Sequence, residues 1–541
     1  MAETGVISAR GAASRVAIVL LAALAVRAYL LCVMPTISRD GVTFIWYAQR
    51  LGTTPLEEIR RQKQHPLYPA LIAAVHAILD RAGAAAGDDV RSWLIAGHVV
   101  ALTAGLAVIP AVYLLACVLL GRRAGVVAAA CAAMLPELCR YGADVLSDSL
   151  HLFLYLLALA IGLTGVRNRS AWRFVLAGLL SGLAYLVRPE GGEVALVLVV
   201  AAVLVRSWRR QTRVALAAAC VAGLLLTAGP YMLATGRIVQ KKSIRRLIGI
   251  EAAAPRQYAP ARAMGRPVDP AGMLASSAAD GGHVVRGAWS LTCAAGKTLV
   301  NWVRSLRVAY LLPAVAWFLL RPRRPRPTAV WWIAAMAWCL HAVVCVLLIH
   351  TFDYRDLFSL RHVLVLAALT LPWTAAGLIR LVDLAAGNVR WLDRRVAWAL
   401  AAVLLVGPTS PWLLRAPNRE YVHLQQAGEW IASRYPRPQR ILTDQWHVPF
   451  YARAEFCERQ ENGHTIRWPG TADAAALVEW VRRERPTIVV LDESRLLRRN
   501  PEFFRQLDAL IGADGLLRLV HTIRADDSGQ IRTARVYEVR L

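Results

Sequence analysis

The stretch SWLIAGHVVALTAGLAVIPAVYLLACVLL, residues 92–120, decides the fold because it contains no Asp, Glu, Lys or Arg. An α-helix rises ~1.5 Å per residue, and the hydrocarbon core of a bilayer is ~30 Å thick. A helix of about 20 apolar residues therefore crosses that core. We predict that residues 92–120 form a membrane-spanning helix.

Similar apolar runs follow each other along most of the chain. The other runs are 16–34, 124–141, 148–165, 172–188, 191–206, 214–234, 302–320, 328–350, 361–380 and 395–412. The chain is 57% hydrophobic and 18% charged, which is typical of a protein whose solvent is largely lipid. The pattern predicts an α-helical polytopic membrane bundle of about 11 transmembrane helices. The shorter run 66–79 predicts a helix at the membrane surface, with a twelfth span as the alternative.

The formal net charge of +27 is concentrated in short loops between the apolar runs. These loops contain Arg122, Arg123, Arg167, Arg169, Arg173, the segment 206–213, the segment 321–326, Arg390, Arg394 and Arg395. Basic loops stay on the cytoplasmic side of a membrane. We therefore predict a multi-pass protein of the cytoplasmic (inner) membrane with a cytoplasmic N-terminus and an external C-terminus, and no nucleic-acid partner.

The chain divides into two parts in this interpretation. Residues 1–412 form the transmembrane domain, with long outer loops at 35–90 and 235–301. Residues 413–541 form a soluble extracytoplasmic α/β domain, because short β-branched runs alternate with helical periodicity. The predicted strands are 441–444, 487–492 and 532–541, and the predicted helices are 419–434, 472–484 and 501–511.

This topology places many polar residues near spans on one side of the membrane. They are Asp40, His65, Glu137, Asp144, Asp148, Arg188, Glu190, Lys241, Lys242, Asp353, Arg355, Asp356, Arg361 and His362. Charged residues near the membrane are costly and tend to mark function. A one-sided cluster indicates a site at the outer interface.

Acidic residues supply the candidate catalytic groups. Asp40 follows the first helix in ISRDG (37–41), where Gly41 suggests a tight turn and where a carboxylate could take a proton from a hydroxyl group. A solvated turn residue is the alternative. Asp144 and Asp148 are four residues apart, so we expect them to share a face at a helix start, as a second acid of the site or as simple helix capping.

Candidate substrate-binding residues surround these acids. His65 and Tyr68 lie in QHPLYPALI (64–72), where His65 could contact a phosphate or belong to a structural turn, and Tyr68 suits an interfacial belt. Arg188 and Glu190 flank a tight turn and could instead form a local ion pair. The remaining basic candidates could hold a phosphate or touch anionic lipid headgroups, and they are Lys241, Lys242, Arg355, Arg361 and His362.

Three acidic residues in the C-terminal part are interpreted as mainly structural. Asp444, Asp492 and Glu493 lie at the carboxyl ends of predicted strands, where ligands bind in many open sheets. Without a glycine-rich phosphate loop, a structural or acceptor-contacting role is preferred. A divalent metal is possible, but no DxD-like pair supports it, so we predict no metal and no other cofactor.

The order of several motifs resembles the GT-C superfamily of membrane glycosyltransferases, above all the protein O-mannosyltransferases and the lipid A aminoarabinose transferases. The motifs are ISRDG (37–41), HPLYP (65–69), SDSLHLFLYLLALA (147–160), LAYLVRPEG (183–191) and RHVLVLAALTLP (361–372). The resemblance covers roughly residues 15–415. The family often has Pro-Pro in place of His65-Pro66 and Tyr in place of His362.

The resemblance implies a reaction. Such enzymes transfer a sugar from a polyprenyl-phosphate carrier to a lipid, glycan or protein acceptor outside the membrane, usually with inversion. Asp40 matches the expected base, Asp148 or Asp144 matches the acid of the next outer loop, and Arg361 is a plausible phosphate contact. The alternatives are a transporter or flippase of a lipid-linked or envelope substrate, and a scaffold that binds an envelope partner.

Overall fold

The computed structural model describes most of the chain, with several gaps. The described residues are 8–83, 90–236, 238, 283–320, 329–352, 359–389, 392–436, 439–456, 458–461, 464–467, 473–527 and 529–540. Lys241, Lys242, Asp353, Arg355 and Asp356 lie outside these ranges.

Helices account for most of the described residues up to position 414. They are α1 (Ala9–Val33), α2 (Arg39–Leu51), α3 (Pro55–Arg61), α4 (Leu67–Arg81), α5 (Val90–Leu120), α6 (Arg122–Met134), α7 (Pro136–Tyr141), α8 (Asp148–Asn168), α9 (Ala171–Val187), α10 (Glu193–Leu204), α11 (Arg210–Thr235), α12 (His283–Leu320), α13 (Ala329–Phe352), α14 (Leu364–Asn388), α15 (Arg394–Val406) and α16 (Ser410–Leu414).

The predicted membrane bundle is confirmed. In the described part of the chain, eight helical segments are long and apolar enough to cross a bilayer, and the last of them, Arg394–Arg434, consists of α15, α16 and further short helices. The prediction of about 11 spans counts three shorter helices as well: α6, α9 and α10. One predicted run, 124–141, is broken at Pro136 into α6 and α7, because proline lacks the N–H that a continuous helix needs there.

Close helix contacts in the bundle depend on small residues. On α9 a Cβ atom at Gly178 would lie 2.1 Å from the carbonyl oxygen of Cys220 on α11. On α11 a Cβ atom at Gly223 would lie 2.2 Å from the carbonyl oxygen of Val175. In lipid, helices associate through such close packing because no hydrophobic gain drives them together.

The predicted outer loop 35–90 contains three helices, and only α4 corresponds to a predicted element. Helix α2 is amphipathic and buries one side, including Val42, Phe44 and Ile45, against α4 and α5. Helix α3 begins with Pro55, whose fixed φ angle suits a first helical residue. This packing turns the connection after α1 into a rigid support for the residues at its start.

The C-terminal part contains a five-stranded sheet, a two-stranded sheet and further helices. The strands are β1 (Arg440–Thr443), β2 (Glu455–Phe456), β3 (Glu458–Glu461), β4 (His464–Arg467), β5 (Ile488–Asp492), β6 (Leu517–Asp527) and β7 (Gln530–Val539). The helices are α17 (Val422–Arg434), α18 (His447–Ala452), α19 (Ala474–Glu484), α20 (Glu493–Arg499) and α21 (Phe503–Asp514). The predicted alternation of strands and helices is confirmed.

The larger sheet has the strand order β2-β1-β5-β7-β6. Strands β2, β1 and β5 are parallel, whereas β7 is antiparallel to both of its neighbours. One hydrophobic cluster, with Leu477 and Phe503, covers one face of the sheet, and another, with Leu424 and Val448, covers the other. Because β1 and β5 run in parallel, their carboxyl ends meet at one edge, where Asp444 and Asp492 lie.

Candidate functional site

Asp40 lies in the first turn of α2 and not in an open turn. Ser38 caps this helix, and its hydroxyl accepts a hydrogen bond from the N–H of Gly41 at 3.3 Å. A Cβ atom at Gly41 would lie 3.0 Å from the carbonyl oxygen of Val145, so glycine allows close packing here. The expectation of a tight turn at Gly41 is therefore wrong, and Asp40 is held by a helix with its side chain 33% exposed.

The Asp40 carboxylate forms an ion pair with the guanidinium of Arg361. Arg361 belongs to a 3-10 turn, Leu360–Val363, that leads directly into α14. The Arg361 side chain is 27% exposed, so both charged groups remain accessible. The structure thus brings together a candidate base from near the start of the helical region and a candidate phosphate contact from near its end in the sequence.

A second ion pair lies deeper in the same site. The Nη1 atom of Arg188 lies 2.5 Å from Oδ1 of Asp148, and the Asp148 side chain is only 2% exposed. Asp148 is the first residue of α8, and Arg188 directly follows α9. The sequence suggested a local ion pair of Arg188 with Glu190, whereas the observed ion pair joins Arg188 to Asp148 on another helix.

Asp144 has a different position from Asp148. It precedes α8, and its Oδ1 atom accepts hydrogen bonds from the backbone N–H of Ser38 at 3.1 Å and of Val145 at 2.8 Å. Burial raises the pKa of Asp144, which hydrogen bonds from Asn418 and Ser38 counteract. The expectation that Asp144 and Asp148 share a helix face is wrong, because only Asp148 belongs to the helix. Asp144 instead anchors the start of α2.

A narrow cleft connects the deeper ion pair with Arg361. Its polar and charged lining residues are Asp148, His151, Arg188, Glu190, His341, Arg361 and His362. Its apolar lining includes Leu152, Val344 and Leu348. The cleft therefore has charged groups at the N-terminal ends of α8 and α14 and apolar side chains between the helices.

Three lining or supporting residues were not identified from the sequence: His151, His341 and Glu193. His341 on α13 lies 2.9 Å through Nδ1 from Oε2 of Glu193 and 3.1 Å through Nε2 from the backbone oxygen of His362. Ionisable residues inside an apolar helix are rare and tend to be functional. That rule, applied to His341 within 328–350 and to Glu193 at the start of 191–206, could have found both.

His65 and Tyr68 are not among the residues that line the cleft. The ring of His65 is 5.0 Å from the Tyr185 ring and 5.1 Å from the Tyr231 ring, and His65 is buried. Tyr68 is fully buried, with its ring 5.0 Å from that of Phe44 on α2. The expectation that Tyr68 suits an interfacial belt is wrong, because its side chain is buried inside the protein.

His362 has a structural contact of its own. Its Nδ1 atom lies 3.3 Å from the backbone N of Ser359, and together these residues form a capping box at the 3-10 turn. This capping fixes the turn that carries Arg361. Across the described ranges, no group of three or more His, Cys, Asp or Glu side chains could hold a metal ion.

A family model described as dolichyl-phosphate-mannose-protein mannosyltransferase matches residues 63–234. This range contains Asp148 and Arg188, whereas Asp40 and Arg361 lie outside it. No curated protein matches the sequence.

Solved membrane glycosyltransferases have a similar fold. The structure of ArnT from Cupriavidus metallidurans bound to undecaprenyl phosphate is 13% identical, with a TM-score of 0.57, and the match covers 96% of this chain and 97% of that one. The oligosaccharyltransferase AglB from Archaeoglobus fulgidus, in complex with an inhibitory peptide and a dolichol-phosphate, is 14% identical, with a TM-score of 0.55 and coverage of 96% and 74%. At these identities the likeness shows the fold, and the resemblance to GT-C enzymes is confirmed at that level.

Proposed function

We propose that this protein transfers a sugar from a polyprenyl-phosphate carrier to an extracytoplasmic acceptor, with Asp40 as the general base. The observation that carries the proposal is the ion pair of Asp40 with Arg361, because Arg361 lines the same cleft as Arg188. The site thus places the Asp40 carboxylate beside one guanidinium group, and a second guanidinium lines the same cleft. The match to a mannosyltransferase family model and the undecaprenyl phosphate bound to ArnT support the choice of donor.

The chemistry requires groups of both signs. Asp40 takes the proton of the acceptor hydroxyl as its oxygen bonds to the sugar C1 atom. The bond between C1 and the phosphate oxygen breaks, and the carrier phosphate leaves with the bonding electrons. Arg188 and Arg361 stabilise the charge that develops on that phosphate. Attack opposite the leaving phosphate inverts the configuration at C1.

The ion pair of Asp40 gives this scheme an order of events. The guanidinium of Arg361 occupies the Asp40 carboxylate, the group that must receive the proton of the acceptor. A carrier phosphate in the cleft competes for Arg361, since guanidinium groups bind phosphate in a bidentate manner. Donor binding would then free Asp40 to accept the proton. In this scheme Asp148 keeps Arg188 oriented toward the phosphate.

The other substrate-binding roles are proposals of the same rank. Glu190 and His362 lie at the cleft and would contact the sugar or the phosphate. His65, Tyr68 and Asp144 support α2 and its surroundings. Lys241, Lys242 and Arg355 are proposed as further phosphate or lipid contacts from the sequence alone.

The membrane placement completes the proposal. We place the transmembrane domain at residues 1–412 and the soluble domain at 413–541, with the N-terminus cytoplasmic in the inner membrane and the soluble domain outside. The acceptor would be a lipid, a glycan or a protein. The carrier lipid would enter between helices whose lining is apolar, as Leu152, Val344 and Leu348 are.

The test is consumption of defined lipid-linked sugars by the purified protein. The wild-type protein should release polyprenyl phosphate from at least one of them, and Asp40→Asn should lower the rate by about 10²–10⁴-fold. Asp383→Asn is the matched control, because Asp383 is also about one-third exposed and paired with Arg123. A transporter would move the lipid-linked sugar intact, and a scaffold would be indifferent to Asp40→Asn; either result overturns the proposal.

A further inference from the structure

The segment between α1 and α2 is held by residues of the C-terminal part. Asn418 donates a side-chain hydrogen bond to the backbone oxygen of Thr36 at 3.1 Å. The hydroxyls of Thr36 and Tyr451 are 2.9 Å apart. These contacts occur a few residues before Asp40, so they bear on where its helix begins.

His447 contacts Ile37, three residues before Asp40. Its Nε2 atom lies 3.0 Å from the backbone oxygen of Ile37, and the residue is fully buried. A carbonyl oxygen only accepts, so Nε2 carries the hydrogen and donates. The ring of Tyr421 stacks on the imidazole of His447 at 4.4 Å and covers one face of it.

The same helix, α18, also supports the middle of α2. The ring of Trp46 on α2 lies 5.2 Å from that of Trp446 and 6.4 Å from that of Phe450. Aromatic pairs at such distances add about 0.5–1.5 kcal/mol beyond burial of their area. The start of α18 therefore contacts Ile37, just before α2, and packs on the middle of α2, so its contacts flank Asp40 in the sequence.

The acidic residues at the carboxyl ends of β1 and β5, Asp444 and Asp492, belong to the same contact region between the C-terminal part and α2. Arg495 forms an ion pair with Asp444, and Gln445 donates to Oδ2 of Asp492 at 3.1 Å. The charges of Asp444 and Arg495 act on Arg39, the residue next to Asp40. The edge of the sheet therefore faces the first turn of α2, which gives Asp444 and Asp492 a structural role.

We propose that His447 is a positioning residue for Asp40: its hydrogen bond to Ile37 fixes the first turn of α2, so the C-terminal domain is part of the active-site architecture. The inference rests on the proposed function only in assigning the chemistry to Asp40. A displacement of about 1 Å at a catalytic group costs on the order of 10²-fold in rate. Loss of this one contact should therefore reduce kcat and leave donor binding intact.

The experiment compares three variants of the full-length protein. His447→Phe keeps the ring but removes the donor, and it should lower kcat by about 10-fold or more with an unchanged KM for the donor. His447→Gln supplies an amide donor in place of Nε2–H and should recover most of the rate. The matched control is His521→Phe, because His521 also stacks on an aromatic ring, that of Trp430 at 4.5 Å, yet lies on β6.

A second readout keeps the test independent of turnover. Backbone amide exchange over residues 38–44 should be faster in His447→Phe than in the wild type, and unchanged in His521→Phe. If wild-type protein consumes no lipid-linked sugar, the proposed function fails while this exchange measurement still tests the positioning role. Wild-type kcat and wild-type exchange in His447→Phe would overturn the inference, as would equal losses in the two phenylalanine variants.

Discussion

Arg361 and Asp40 form an ion pair that joins the 3-10 turn before α14 to the first turn of α2. Helix α14 is largely buried in the bundle, and α2 packs against α4 and α5. The pair therefore links the membrane core with the candidate catalytic helix. Arg361 has two possible partners, the Asp40 carboxylate and a carrier phosphate, and the proposed reaction depends on its exchange between them.

Removing the guanidinium of Arg361 should weaken phosphate binding. Hydrogen bonds to charged groups contribute about 1.5–3 kcal/mol, so Arg361→Gln should raise the Kd for undecaprenyl phosphate by about 10–100-fold. Isothermal titration in detergent micelles measures this Kd. Arg123→Gln is the matched control, because Arg123 also pairs with an aspartate, Asp383, at a similar exposure. Equal affinities in Arg361→Gln and the control would contradict the assignment.

The buried pair of Asp148 and Arg188 should be strongly coupled in stability. Breaking a buried pair leaves an uncompensated charge and costs roughly 3–5 kcal/mol. We expect Arg188→Leu to lower the thermal unfolding midpoint substantially, since Asp148 is 2% exposed. The double variant Asp148→Leu/Arg188→Leu should be more stable than Arg188→Leu alone. Simple additivity of the two single changes would show that the pair does not act as a unit.

His341 should control the position of Arg361 through the backbone of His362. His341→Leu removes the donor to the His362 oxygen, so we expect roughly 10-fold weaker binding of undecaprenyl phosphate. Glu193→Gln keeps an acceptor for the other ring nitrogen and should have a smaller effect. Both variants are compared by titration with the same lipid. A larger loss in Glu193→Gln than in His341→Leu would argue against this route.

Stability should fall on mild acidification because of His447. Burial lowers the pKa of His447 to about 4, and nearby Arg39 and His423 act in the same direction, whereas the hydrogen bond to Ile37 opposes them. In the unfolded chain His447 binds a proton near pH 6.5, whereas in the folded protein it binds a proton only near pH 4. The stabilising contribution is complete above pH 6.5 and is lost as the pH falls toward 4, by up to roughly 3 kcal/mol.

Thermal unfolding between pH 7 and pH 5 measures this effect. The midpoint of the wild-type protein should decrease across this range, and His447→Gln, which does not titrate, should show a smaller decrease. Tyr421 faces the same imidazole but keeps its proton throughout this range, so it does not contribute. An identical pH dependence in the two proteins would exclude His447 as its source.

The architecture was largely predictable because it depends on local composition. Apolar runs such as 92–120 have the length of a bilayer, and the run 487–492 has the β-branched residues of a buried strand. Helix α2 was missed because its alternation of polar and apolar residues follows a much longer apolar run. The shorter helices α6 and α10 were expected at full span length because adjoining apolar residues extend beyond their ends.

Several charged members of the candidate site were predictable, whereas His151, His341, Glu193 and the contacts between members were not. Asp40, Asp148, Arg188 and Arg361 are notable in the sequence as charges beside apolar runs. Their pairing depends on how distant helices pack, and no local pattern encodes it. A local ion pair of Arg188 with Glu190 was suggested because these two residues are close in the sequence, which does not reveal the contact with Asp148. Asp144 and Asp148 are four residues apart, as two residues on one helix face would be. Helix α8 begins only at Asp148, however, so the two residues have different roles.

An experimental structure with undecaprenyl phosphate bound tests the central claim most directly. We predict that the phosphate lies in the cleft within hydrogen-bonding distance of Arg188 and Arg361, and that Arg361 has moved away from Asp40 toward it. A phosphate located elsewhere, with the ion pair between Asp40 and Arg361 unchanged, would contradict the account.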